Sequence, residues 1–486
     1  MELVYNVKDK PPFGKTLVFA LQQLLAILAA TIAVPAVVGN GMSQSAALFG
    51  AGVGTIVYLL FTKFRSPVFL GSSFAFIGSM MAAFAGGVSM SVGYLGLIIG
   101  AGFAGLVYVI IALVVKKAGV NWLNKLMPAM VVGPTVAIIG LSLAGNAIGD
   151  LTSGGLKDAF GGSVCNSYVA LICGLVTLFT VIACSVYGKK MLKLIPFIIG
   201  ILAGYAVAAI FTAIGYAANA DALKVIDFTK FKNMQWYPDF AFVEAFKGNY
   251  NYGPDGSFGT YLLTIAVAYA PVAFVVFAEH IADHKNLSSI IGSDLLEDPG
   301  LHRTLLGDGV GSIAGAFFGG CPNTTYGESV GCVAITGNAS VATIFATAII
   351  AIIASFVAPF VTFLATIPSC VMGGVCITLY GFIAVSGLKM IQQVDLGDNH
   401  NLFVVSVILI AGIGGMTLNF GKVTITSVAC ALILGILTNV LCSIKGKKEN
   451  GEPSVTAEDA TIAESMEESA ESEETKETKE TKEINE

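Results

Sequence analysis

Charge is what this sequence has least of. Asp, Glu, Lys and Arg make up 12% of its 486 residues, about half the share of an ordinary soluble domain. A soluble chain of this length, with a mean hydropathy of +0.80, could not cover itself with polar surface. Paired cysteines are also missing. Nine cysteines are scattered, mostly within apolar runs, and none forms a Cys-x-x-Cys pair. That spacing argues against a disulfide framework and against a zinc or iron–sulfur site, so no metal and no cofactor is expected. No His-Glu-x-x-His is present, nor a phosphate-cradling loop with its lysine. Nothing else in the sequence points to an enzyme or to nucleic-acid binding.

Long apolar runs are what the sequence has instead. They recur at Thr16–Val38, Ala46–Phe61, Val92–Val115, Tyr168–Tyr187, Leu194–Ile214, Tyr261–Ala278, Val341–Leu364, Leu402–Ile413 and Thr424–Leu441. Several reach the roughly 20 residues that a helix needs to cross a bilayer. In lipid every backbone group must be satisfied within the segment, so so many runs describe an all-α polytopic membrane protein. Allowing for runs broken by glycine, we expect about fourteen spans. The first run is too long for a cleaved signal peptide. Basic residues cluster at Lys8–Lys15, Lys63–Arg65, Lys116–Lys125, Lys189–Lys193 and Lys445–Lys448, while the links at 40–44 and 85–91 are uncharged. This alternation places both termini in the cytoplasm.

The net charge of −6 hides two regions. Residues 449–486 carry fourteen acidic and three basic side chains, leaving a body of about +5. This tail, poor in apolar residues, reads as disordered and solvated. The expected organisation is a cytoplasmic N-terminus at 1–15, a first repeat at 16–218, an external loop at 219–258, a second repeat at 259–444 and the acidic tail at 445–486. The repeat rests on Pro128-Ala-Met-Val-Val-Gly133 and Pro368-Ser-Cys-Val-Met-Gly373, 240 residues apart. By the span count these fall in the fifth and twelfth spans. Seven spans per half is an odd number, so the second copy would run through the membrane in the opposite sense, an architecture of transporters.

Two stretches interrupt the apolar pattern at comparable places, Ser66–Phe76 and Cys321–Gly331. Both mix Pro, Gly and hydroxyl residues. Paired interruptions of this kind mark a site near the bilayer midplane, where backbone N–H and C=O groups are free for a ligand. Gly327 lets a ligand approach the chain closely. Glu328 is the only charged residue between Gly309 and Leu388. A lone acid at membrane depth is costly and marks function; a polar surface loop would instead leave it in water. A second acid, Glu279, closes the run from Tyr261, and Asp283 follows it on the same helical face. Two acids so placed suit proton exchange. Beyond Glu279 a helix end emerging into the cytoplasm is also open. His284 and Lys285 are expected to be solvated there, and for His280 both readings stand.

Leu70-Gly-Ser-Ser-Phe-Ala-Phe76, Ala278-Glu-His280, Asp294-Leu-Leu-Glu-Asp-Pro-Gly-Leu-His-Arg303 and Pro322-Asn-Thr-Thr-Tyr-Gly-Glu328 resemble the bacterial uracil–proton symporters of the nucleobase–cation symporter-2, or nucleobase/ascorbate transporter, family. The resemblance runs from about Pro11 to Ile444. It implies two inverted seven-span repeats, with spans one to four and eight to eleven as a core domain and the others as a gate domain. It also implies short extended strands in spans three and ten, and commonly a homodimer. Carried over residue by residue, Glu279 and Glu328 match the substrate-binding acids, and Phe74 and Gly327 match positions whose N–H groups face the pyrimidine. Uracil has two N–H donors and two carbonyl acceptors, which suits carboxylates and backbone amides together.

The sequence departs from the uracil carriers at Asp283, where they have histidine, and at Gln22-Gln23, where they have Gln-His. It departs from the wider family's signature at Ser329, while Gly331, Thr336 and Gly337 agree. Proton transfer is therefore expected at Glu279 or Asp283. The expected function is proton-coupled uracil import across a bacterial cytoplasmic membrane. The alternative is a xanthine or urate permease of the same family.

Overall fold

A computed structural model describes residues 3–119, 125–156, 162–189, 191–254, 256–420 and 423–449. The chain divides into a unit of residues 1–438 and a second of 439–486, the latter described only to 449. The acidic tail therefore lies outside the described residues.

The first half opens with α1 (Phe13–Val38) and α2 (Gln44–Phe61), then β1 (Leu70–Ser72) and α3 (Ile77–Ala83). It continues with α4 (Met90–Ala118), α5 (Ala129–Ser142), α6 (Ala144–Leu151), α7 (Ser167–Tyr187) and α8 (Pro196–Ala217). A long connection leads to α9 (Phe258–Ile291), α10 (Leu301–Gly319), β2 (Asn323–Thr325) and α11 (Gly327–Thr336). Then come α12 (Val341–Ala354), α13 (Ala358–Thr366), α14 (Ser369–Ile391) and α15 (Asn399–Ile413). A hairpin of β3 (Leu418–Phe420) and β4 (Val423–Ile425) precedes α16 (Ser427–Glu449).

Local chemistry explains the helix limits. Ser43, Ser89, Asn166, Ser257 and Asp398 cap their helices by accepting a backbone N–H. Gly292, Gly320 and Gly337 end α9, α10 and α11 in the left-handed conformation that glycine adopts freely. Both prolines of the sequence repeat, Pro128 and Pro368, are N-cap residues, of α5 and α14.

Among the described residues, eight helices are long and apolar enough to cross a bilayer, or nine if α12 and α13 count as one span bent by 83°. Shorter apolar helices lie at Phe74–Ala83, Asn399–Ile413 and Ser427–Ser443. The expected fourteen is thus not a count of long helices. The run Val341–Leu364, read as continuous, breaks at Ser355–Val357. The chain is a multi-pass membrane protein.

Two sets of helices pack around separate seams. α2 and α4 lie against α10, α2 and α1 against α12, and α4 against α9; α14 lies against α5, α6 and α7, with α15 on α5 and α8 on α7. Glycine sets the closest crossings. A Cβ added at Gly54 would lie 2.8 Å from the Gly311 carbonyl oxygen, and one at Gly387 would lie 2.5 Å from that of Gly133. Small residues let helix backbones approach in this way where lipid provides no hydrophobic drive.

Candidate functional site

The two interrupted stretches meet. β1 and β2 pair antiparallel, Leu70 opposite Thr325 and Ser72 opposite Asn323. A 3-10 turn at Phe74–Phe76 leads from the Ser72 end of this short ladder into α3, and α11 begins just beyond its Thr325 end, so the two helical turns start at opposite ends of the ladder. Neither Ser73 nor Tyr326, the residues before these helical turns, supplies a side-chain cap. N–H groups at such ends attract carbonyl oxygens and anions. The ladder sits over glycine: a Cβ at Gly71 would run into the Tyr326 ring, whose hydroxyl donates to Ser72 O (2.7 Å).

α9 brings the acids to this point. Thr325 Oγ1 donates to Asp283 Oδ2 at 2.9 Å, and Asp283 Oδ1 lies 3.7 Å from where a Cβ on Gly327 would stand. Glu279, one turn earlier, and Glu328, in the first turn of α11, are close enough to interact electrostatically. Gly327 is exposed, and Glu279, Asp283 and Glu328 are half-buried. Phe74 is half-buried, and its ring meets Tyr380 of α14 edge-on at 5.9 Å. The structure thus brings Glu279, Asp283, Gly327 and Glu328 together. It sets Phe74 at the far end of the ladder, where the first set of helices meets the second.

His284 is a correction. It is not solvated but 1% exposed, because α9 continues for two more turns, to Ile291, and Tyr58 of α2 lies beside it. Its Nδ1 is 2.8 Å from His280 O, and its Nε2 is 2.7 Å from the Tyr58 hydroxyl, which lies 2.7 Å from Ser66 Oγ. His280 is fully buried, with Nδ1 2.8 Å from Asp308 Oδ2 and Nε2 2.9 Å from Thr304 Oγ1. The two rings stack at 4.0 Å. Lys285 is exposed, as expected.

Sequence reasoning passed over several residues that build the site. Gln23 Nε2 donates to Ser329 Oγ (2.5 Å), which also accepts the Phe69 N–H (2.9 Å). The departures at Gln23 and Ser329 are therefore paired, and they fix α1 and the start of β1 to α11. The expectation that no Gly-x-Ser-x-Gly is present is corrected: Gly327-Glu-Ser-Val-Gly331 spells it, a pattern shared with hydrolase nucleophiles. Ser329 is fully buried and its oxygen is taken by Gln23 and Phe69, so its role is structural. Asp308 had one signal, as an acid among small residues in Gly307–Gly311. Thr304 and Tyr58 had none.

The sequence model of a family described as Permease family (Xan_ur_permease) matches residues 14–421. The uracil permease of Bacillus caldolyticus is 40% identical over 444 residues, covering 90% of this chain and 94% of the relative. That of Bacillus subtilis (strain 168) is 37% identical, covering 92% and 97%, and that of Escherichia coli (strain K12) is 34% identical, covering 94% and 98%. Among solved structures, the transmembrane domain of the cyanobacterial bicarbonate transporter BicA matches with a TM-score of 0.56 at 15% identity, covering 90% of this chain and all of that one. SLC26A9 matches at 0.63 and 11%, covering 89% and 65%. These two likenesses concern the fold alone.

Proposed function

The chain belongs to this permease family, and from that premise we propose that it carries uracil into a bacterial cell across the cytoplasmic membrane, coupled to protons. It is a transporter and not an enzyme. The observation that carries the site is the convergence of the α11 N-terminus with the acids of α9 and α11, the first turn after β1 standing at the other end of the same short ladder. Uracil lies between them. Glu279 and Glu328 accept its two ring N–H groups, and the backbone N–H groups of Phe74 and Gly327 donate to its two carbonyl oxygens. A site of buried polar groups rejects rings that leave those groups unpaired, which separates uracil from larger purines. Asp283 takes the proton, held by Thr325 and next to Glu279.

Alternating access follows from the packing. Under a two-fold exchange of the halves, α2 corresponds to α10, α4 to α12 and α5 to α14. The contacts obey that exchange: α4 lies on α10 as α2 lies on α12, while α2 meets α10 and α5 meets α14. This supports two inverted repeats of seven spans. α1–α4 with α9–α12 form the core domain; α5–α8 with α14–α16 form the gate domain, which is also the surface for a second copy. Counting α3, α10, α11, α15 and α16 as spans gives fourteen, with both termini cytoplasmic.

The test is uptake of radiolabelled uracil into proteoliposomes under an imposed pH gradient, for wild type and Glu328→Gln. Gradient-driven uptake should be lost in the variant and blocked by excess uracil. Block by xanthine but not by uracil would overturn the substrate. Unchanged uptake in the variant would overturn the role of Glu328.

A further inference from the structure

The helix that carries Glu328 leads from the proposed site to a seam. On α11, Gly327 is exposed and Glu328 half-buried, but Cys332 is buried. Glu328 and Cys332 are four residues apart, so they share one face of the helix and stand about 6 Å apart along its axis. What covers Cys332 comes from both sets of helices. Ala26 of α1 is buried against it, and Ile195 packs on the two. Ala26 and Cys332 belong to the first set. Ile195 is the N-cap residue of α8 in the second set, and Pro196 follows it at the start of that helix. A proline restricts the backbone of the residue before it, so Ile195 is held stiffly where the two sets meet. The three side chains form a small apolar cluster apart from the continuous core.

Two observations give the cluster a side. α11 runs from Glu328 to Gly337, whose carbonyl oxygen accepts the N–H groups of Val4 (2.8 Å) and Tyr5 (3.2 Å). Lys189 and Lys193, shortly before Ile195, are exposed. The cluster therefore stands between Glu328 and the face that bears the N-terminus and these lysines, which the positive-inside rule makes cytoplasmic. A second contact across the seam, Phe74 with Tyr380, lies at the far end of the ladder. The contact at Ile195 is apolar and non-directional, so it can part and re-form without leaving a polar group unpaired. Closed, an apolar constriction of this kind keeps water and ions out.

We propose that Ile195 is the inner plug of the carrier. Packed on Ala26 and Cys332, it closes the way from Glu328 to the cytoplasm, and it parts from them once in each cycle to release the substrate. The proposal rests on Glu328 belonging to the substrate site. It gives Ile195 no contact with uracil; the residue acts by position, through the face of α11 that it covers.

The test follows the Cys332 thiol with a membrane-impermeant maleimide added to the cytoplasmic face of inside-out membrane vesicles, the labelled fraction being read by mass spectrometry. Without uracil, Cys332 should react slowly in wild type and about tenfold faster in Ile195→Ala, whose smaller side chain leaves the thiol uncovered for more of the time. Ile195→Leu, which conserves volume, should react as slowly as wild type. Equal rates in wild type and Ile195→Ala overturn the plug. The second arm needs no variant. Uracil at both faces of wild-type vesicles should speed the labelling severalfold, because each exchange opens the plug. Labelling unchanged by uracil, in vesicles that exchange radiolabelled uracil, makes the contact static packing and also overturns the proposal. Vesicles that exchange no uracil at all would sink the carrier reading, and the plug with it.

Discussion

Glu279 and Asp283 lie one turn apart on α9, and so do His280 and His284, displaced by a single residue. On a helix that displacement is a rotation of about 100°, and it changes everything about the surroundings. The acids are half-buried beside the start of α11, and Asp283 accepts from Thr325. The histidines are fully enclosed, and each ring nitrogen has a partner from α2, α10 or α9 itself. One face leaves its carboxylates half-buried; the other uses its ring nitrogens to fix the helix to its neighbours. Neutral imidazoles suit the second task, because they satisfy partners on both sides of the ring without a net charge to bury. On the proposed site, the polarity of α9 is divided between transport and register, and residue type alone does not say which.

The division is broken most severely at Glu279. Glu279→Gln keeps the shape but replaces a charged acceptor with a neutral amide. Charged hydrogen bonds contribute about 1.5–3 kcal/mol, so uracil uptake should fall on the order of 100-fold while the purified protein melts as wild type does. Uptake within threefold of wild type would remove Glu279 from the site. On the opposite face His280→Ala should do the reverse. It leaves Asp308, 1% exposed, without its partner, and Asp308 Oδ1 already receives no hydrogen bond. Leaving a buried hydrogen-bonding group unpaired costs about 1–3 kcal/mol. A marked fall in melting temperature is expected, larger than any change in KM for the fraction that remains folded. A stable His280→Ala protein with abolished uptake would place His280 on the transport face instead.

Asp283→Asn sharpens the contrast within the acid face. The amide oxygen can still accept from Thr325, so the fold should hold. The side chain can no longer take up and release a proton. Uracil binding should change by about tenfold or less, and counterflow of uracil for uracil should persist, while accumulation driven by a pH gradient disappears. Gradient-driven accumulation in Asp283→Asn at the wild-type level would move the proton to Glu279.

Much of this was legible before the structure. The apolar runs specified helices because lipid leaves the backbone no other solution. The stretches at Ser66 and Cys321 were legible as interruptions because Pro, Gly and hydroxyl residues cannot all serve a continuous apolar helix. The 83° break between α12 and α13 had one signal, Pro359 in the first turn of α13, where proline starts a helix rather than continues one, and that signal was passed over. His284 was misread for a related reason: hydropathy falls after Ala278, but the helix does not end there. The Gln23–Ser329 pair was hidden because its members are 306 positions apart, and both looked only like departures from a pattern.

Lys285 tests whether the third face of α9 is as empty of consequence as its exposure implies. It follows His284 directly, so a further rotation of about 100° carries it away from both the acids and the histidine partners. It is exposed. A long flexible ammonium in that position gains little from any neighbour and keeps its hydration. Lys285→Ala should therefore leave the melting curve within scatter and uracil KM unchanged, in contrast to its neighbours one and two residues earlier. A clear loss of stability would mean that α9 is turned from the orientation described, and the separation of its two polar faces would fail with it.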